Sequence, residues 1–156
     1  MDPAEVKSLK HMAFAVNSAE EALETYGKFL AVPKDTKIIV WEKSRTRLAL
    51  FDLGGIEYQL CESMDPDGRF AVWIEKHGEG LHHICYEVAN IDVALAHARK
   101  NGAKLRICQA CEVAGSHPHP EGFVAFLDND AGGIEIEFMQ VYTPEELIKY
   151  EAVQCI

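Results

Sequence analysis

Apolar and polar positions alternate with period two in two short runs, residues 9–16 (Leu-Lys-His-Met-Ala-Phe-Ala-Val) and 81–88 (Leu-His-His-Ile-Cys-Tyr-Glu-Val), and each predicts a strand. The pattern then changes to helical spacing. After the first run, Ser18 stands three residues before Glu21 as a capping box, and Ala22, Leu23, Tyr26, Phe29 and Leu30 recur along one helix face over 18–30. After the second, a helix begins near Asn90–Asp92, carries Val93, Leu95, Ala96 and Ala98, and ends at Gly102, a residue suited to a left-handed C-terminal cap. Three further strands are predicted behind each helix, at 36–42, 46–52 and 56–62, then at 104–112, 122–128 and 133–140. A last helix over 143–152 opens with Thr143, Pro144 and Glu146, a capping residue, a first-turn proline and a box glutamate.

The two halves are copies of one module. Leu9–Val16 aligns with Leu81–Val88 at an offset of 72, an offset kept by Ala22-Leu23 with Ala94-Leu95 and by Ala31 with Ala103. Gly54–Leu60 (Gly-Gly-Ile-Glu-Tyr-Gln-Leu) aligns with Gly132–Phe138 (Gly-Gly-Ile-Glu-Ile-Glu-Phe) at 78, so the second copy holds six more residues, placed by its Gly and Pro in 111–122. The expected fold class is α+β: two tandem βαβββ modules forming a curved mixed sheet around a metal-binding cleft. The expected organisation is a single domain over 1–156, with module one at 8–62, a linker at 63–79, module two at 80–140 and the terminal helix.

Strand alternation sorts the repeated positions onto two faces. Met12, Phe14, Val16, Ile56, Tyr58, Leu60, Ile84, Tyr86, Val88, Ile134, Ile136 and Phe138 make one face apolar, to be covered by the helices. His11, Ala13, Ala15, Glu57, Gln59, Cys61, His83, Cys85, Glu87, Glu135, Glu137 and Met139 make the other, where small residues leave room among imidazoles, an amide and carboxylates. His82 falls on the apolar side. The repeat makes His11 equivalent to His83 and Gln59 to Glu137. Modules related by a pseudo-two-fold would bring these four to equivalent places around its axis, an N2O2 set of one formal negative charge suited to a divalent ion with open coordination positions.

Composition removes other classes of function. The chain has 156 residues, 48% of them hydrophobic and 26% charged, within the range of one ordinary globular unit. A net charge of −10 repels phosphate backbones and anionic lipid, so no nucleic-acid or membrane partner is expected. The opening residues lack an apolar signal core, and five cysteines (Cys61, Cys85, Cys108, Cys111, Cys155) make no even disulfide framework, so the expected compartment is the cytoplasm. Cys108-Gln-Ala-Cys111 is a lone CxxC in a strand-like run, expected to be without function, and His117 and His119 are expected to be exposed. Trp41 and Trp73 are expected to pack.

With the βαβββ duplication and Phe70–Val88 (Phe-Ala-Val-Trp-Ile-Glu-Lys-His-Gly-Glu-Gly-Leu-His-His-Ile-Cys-Tyr-Glu-Val) in view, the chain resembles the vicinal oxygen chelate, or glyoxalase-like, superfamily, and within it the methylmalonyl-CoA epimerases. The likeness runs from about Leu9 to Gln140. It implies His11, Gln59, His83 and Glu137 as ligands of a divalent metal, Co, Ni, Mn or Zn. It also implies an acyl-CoA or other thioester substrate, a homodimer, and epimerisation by α-proton abstraction with enolate stabilisation. Glu42, where the resembling epimerases place a glutamate, and Glu137 are the catalytic residues so implied. Alternation on the cleft face offers Glu57, Glu87 and Glu135 as other bases. Two segments depart from that family's pattern, Ala114–Gly122 and Leu127–Asp130, and leave the acyl group open. A lactoylglutathione lyase of glyoxalase-I type and a binding relative without turnover are the alternatives. An Fe(II) dioxygenase fits less well, because Gln59 would crowd the oxygen site.

Overall fold

The computed structural model describes residues 5–154, with 129–131 by backbone alone, so Cys155 lies outside the described residues. Module one runs β1 (Val6–Ala15), α1 (Ala19–Phe29), β2 (Ile38–Trp41), β3 (Thr46–Leu53), β4 (Ile56–Ser63). A helix that no sequence pattern predicts, α2 (Arg69–His77), fills the expected linker. Module two runs β5 (Gly80–Val88), α3 (Ile91–Lys100), β6 (Leu105–Arg106), a two-residue β7 (His117–Pro118), β8 (Gly122–Ala131), β9 (Ile134–Val141), and is followed by α4 (Pro144–Gln154). The βαβββ order recurs in both halves, with the two-residue β7 added in the second, and the α+β class is as expected. The strand predicted over 104–112 is not: it shrinks to Leu105–Arg106, because Cys108–Glu112 is a turn closed by the Glu112 N–H on the Cys108 carbonyl at 2.8 Å.

The chain divides into two compact units. One comprises Lys10–Ile84 with Gln109–Cys111. Its strands lie in the order β2-β3-β4-β1, with β1 and β4 parallel and the others antiparallel. Phe14, Val16, Ala49, Phe51, Tyr58 and Leu60 pack there under Ala19, Leu23 and Tyr26 of α1. Aromatic rings dominate this layer, Phe14 and Phe51 stacking on Tyr58 at 5.6 and 5.7 Å. The opposite face of the same strands is covered as well. Ala13, Ala15, Leu48 and Cys61 are buried with Phe70 of α2, and Trp41, Trp73 and Ile74 pack against them. The small side chains expected to leave room for a ligand instead seat a helix at this end of the strands. Both tryptophans pack, as expected.

Ser63 fixes where α2 begins: its hydroxyl accepts the N–H groups of Phe70 and Ala71 at 3.0 and 3.1 Å, two of the donors a helix start leaves unpaired. Gly68, just before the helix, has no room for a Cβ, which would fall 2.6 Å from Ser63.

The second unit comprises residues 1–9, 85–108 and 112–156, of which those from residue 5 to 154 are described. β9 pairs antiparallel with β8, and β6 and β7 pair with β8. The register of β8 against β9 shifts between Phe126 and Asp130, the segment that departs from the epimerase pattern. Val88, Ile91, Ala94, Leu95, Ala125 and Leu127 form its core, with Ile136 and Phe138 against them. The predicted caps are present: Ser18 accepts from Glu21, Asn90 from Val93, and Thr143 and Glu146 cap each other. Gly102 takes a positive φ just past α3. No helix among the described residues is long and apolar enough to cross a membrane.

Candidate metal centre

Strand pairing places the predicted residues of module one side by side. In the parallel register of β1 and β4, His11 lies opposite Glu57 and Ala13 opposite Gln59, so His11, Glu57 and Gln59 share a face. The Gln59 amide donates to the Glu57 carboxylate at 2.8 Å. His83, at the start of β5, comes to the same place. His11 Nε2 and His83 Nε2 stand 3.3 Å apart, their rings inclined at 74°, and both residues are buried.

Two imidazole nitrogens that close share a proton or a cation. Nitrogens bound to one ion at about 2.0–2.1 Å would stand roughly 2.9–3.4 Å apart for angles between cis-octahedral and tetrahedral. The observed spacing fits that range. The other side of the His83 ring is held too: its Nδ1 is 2.7 Å from the Nδ1 of His82. If His83 Nε2 is the ligand atom, Nδ1 carries the proton and donates to His82, whose own proton then sits on Nε2. Such an outer hydrogen bond fixes the tautomer and the orientation of a metal-binding imidazole. His82 is fully buried, with its ring 4.8 Å from Phe70 and 5.3 Å from Trp73. Phe70 also lies nearly parallel to His83, at 6.4 Å. Helix α2, in what the sequence predicts as a linker, therefore braces the histidine pair.

Glu137 belongs to the other unit. It is buried on β9, opposite Phe126 of β8. The remaining cleft-face carboxylates there are engaged by cations: Glu135 pairs with Arg106, and Glu87 takes Lys7 at 3.6 Å and the Ser8 hydroxyl at 2.7 Å. Glu42 opens a 3-10 turn after β2, its side chain 77% exposed and 3.9 Å from the Arg45 guanidinium.

Two expectations about the segment after β6 fail. His117 and His119 are buried, and Cys108–Cys111 lies in a turn, because the chain there folds back and pairs His117 with Val124 of β8. Burial opposes protonation of His117, but Cys108, the Gly115 carbonyl and the charge of Glu137 outweigh it and raise its pKa above the ordinary imidazole value. The signal for this cluster is present in the sequence, as two histidines one residue apart following a CxxC, and it emerges only when the two pairs are taken together.

Residues 10–123 match the Glyoxalase/Bleomycin resistance protein/Dioxygenase superfamily. The mitochondrial methylmalonyl-CoA epimerase of Bos taurus is 30% identical over 134 residues, 85% of this chain and 73% of that protein. The Mycobacterium tuberculosis methylmalonyl-CoA epimerase superposes with a TM-score of 0.73 at 21% identity, covering 90% of this chain and 92% of that one. A methylmalonyl-CoA epimerase in complex with methylmalonyl-CoA and NH4+ gives 0.68 at 21% identity, covering 89% and 97%; at this identity the two structures speak for the fold. With the family match spanning well over half of its length, the chain belongs to the glyoxalase/bleomycin resistance/dioxygenase superfamily.

Proposed function

We propose that the chain is a metal-dependent epimerase that inverts the α-carbon of a methylmalonyl-CoA-like acyl thioester. The observation that carries this reading is the buried His11–His83 pair, 3.3 Å apart, with the Glu57–Gln59 pair on the same face as His11. The epimerase relatives supply the substrate class.

In this proposal His11, Gln59, His83 and Glu137 hold a divalent ion, which Co, Ni, Mn or Zn could provide. The ion supplies Lewis acidity that lowers the cost of an enolate oxygen next to a carboxylate. Its one carboxylate ligand leaves net positive charge for an anionic substrate. The protein must then remove a proton from one side of the α-carbon and return one to the other. Glu42, beyond β2, is the proposed base. Glu57 is the second candidate, favoured by its place opposite His11 and its partial burial, whereas Glu87 and Glu135 are held by Lys7 and Arg106.

Incubation with methylmalonyl-CoA in deuterated water tests the assignment. Epimerisation with α-deuterium incorporation is expected. Turnover of the methylglyoxal–glutathione hemithioacetal in its place would make the protein a lyase, and metal binding without either reaction would make it a binder. Glu42→Gln should slow exchange by about 10²–10⁴-fold with the metal retained. If Glu57→Gln does so and Glu42→Gln does not, Glu57 is the base.

We further propose a homodimer. The β2 edge exposes Ile39 and Val40, and Phe29 stands out from the end of α1, which is apolar surface a second copy could cover. Light scattering at micromolar concentration should give twice the 17.4 kDa chain mass. The proposed compartment is the cytoplasm, and cell fractionation checks it against the mitochondrial location of the bovine relative.

A further inference from the structure

We propose that the segment Cys108–His119 holds a second metal ion, a zinc bound by Cys108, Cys111, His117 and His119. One sulfur or ring nitrogen from each of these residues lies within 4.8 Å of each of the others. His117 Nε2 and His119 Nε2 are 3.2 Å apart, and Cys108 Sγ is 3.5 Å from His119 Nε2. A tetrahedral zinc with Zn–N of about 2.0–2.1 Å and Zn–S of about 2.3 Å would space such ligands at roughly 3.3 Å for N–N and 3.6 Å for N–S. Both measured spacings fall close to those edges.

The second coordinate of fit is the tautomer. His117 Nδ1 donates to the Gly115 carbonyl at 2.8 Å, which leaves the lone pair on Nε2, the nitrogen turned toward His119. The backbone shapes the loop in advance. Cys108 N–H donates to the Val113 carbonyl at 2.9 Å, and Glu112 closes the CxxC turn in a left-handed conformation, φ +57°. His119 N–H donates to the Gly122 carbonyl at 2.9 Å, and the Tyr142 hydroxyl to the His119 carbonyl at 2.7 Å. Cys108, His117 and His119 are buried and Cys111 partly so, which suits a closed site.

The donors set this site apart from the proposed catalytic one. Two thiolates and two imidazoles neutralise a divalent ion and fill its four positions, the pattern of a structural zinc. His11, Gln59, His83 and Glu137 offer no sulfur and leave positions open. The loop lies on the cleft face of module two: Phe126, opposite Glu137 across β8 and β9, is 6.1 Å from both imidazole rings. A zinc here would hold the loop against β8 beside Glu137, as α2 braces the histidine pair in the other unit.

Cobalt(II) exchanged into the intact protein under reducing conditions reports on thiolate ligation directly. A near-ultraviolet thiolate-to-cobalt charge-transfer band is expected, saturating at one cobalt per chain. It should persist in His11→Ala/His83→Ala and disappear in Cys108→Ser/Cys111→Ser, so it separates this proposal from the epimerase reading. On unmodified protein purified with zinc, a thiol-specific mercurial should release one equivalent, a measurement independent of how the variants fold. A wild-type protein that shows no such band in excess cobalt, or a band unchanged by the double cysteine substitution, overturns the proposal, as does failure of the mercurial to release zinc.

Discussion

His82 and His83 are neighbours in sequence with different tasks, and strand alternation alone does not separate them. His83 turns toward His11 as expected, whereas His82, expected on the face that α1 and α3 cover, meets Phe70 and Trp73 of α2 instead. The exchange between their Nδ1 atoms was not legible, since it depends on ring rotation within a strand whose sequence fixes only the side. His82→Phe should therefore keep the fold and weaken metal binding by about 10–100-fold, measured by competition with a chromophoric chelator. Undiminished affinity would mean that His82 only packs. The proposed base was less legible still. Glu42 lies in a turn whose geometry is set by Arg45, in the left-handed region at φ +51° and bonded to Asp65 at 2.9 Å, and no periodic pattern reports on that.

Among the elements, α1, α3 and α4 announced themselves through caps, whereas α2 did not. Its start is capped by Ser63, at the end of β4 and six residues before Arg69, a long-range acceptor without a local sequence signature. Two glycines make the point testable. Gly68→Ala would press a Cβ to 2.6 Å from Ser63, and should destabilise the protein by about 1–3 kcal/mol in urea titration. Gly27→Ala, in the exposed interior of α1 with nothing within 4 Å of the added carbon, should stabilise it by about 0.5–1 kcal/mol. At the other end of the chain, burial and then the neighbouring Tyr150 push the Tyr142 phenol up to about 12, above its ordinary 10.0. The folded form thus favours the protonated phenol. Its contribution is complete below pH 10 and is lost as pH rises toward 12, so alkaline unfolding should be less steep in Tyr142→Phe over that window.

At the scale of the whole molecule, duplication was the most informative feature of the sequence. A repeat offset of 72 and then 78 marks out both modules and pairs His11 with His83, and the structure places those two Nε2 atoms 3.3 Å apart. What lies outside the repeat was hidden for that reason. Helix α2 and the six extra residues of the second copy have no counterpart in the other copy: α2 covers the cleft face of module one, and the added loop pairs His117 and Pro118 with β8. The most direct test of the central claim is α-proton exchange of methylmalonyl-CoA by the chelator-treated protein, before and after cobalt is restored, in wild type and in His11→Ala/His83→Ala. Exchange should vanish on metal removal, return with cobalt in the wild type, and stay absent in the double variant. Full-rate exchange by the metal-free protein, or by the variant lacking both imidazoles, would contradict it.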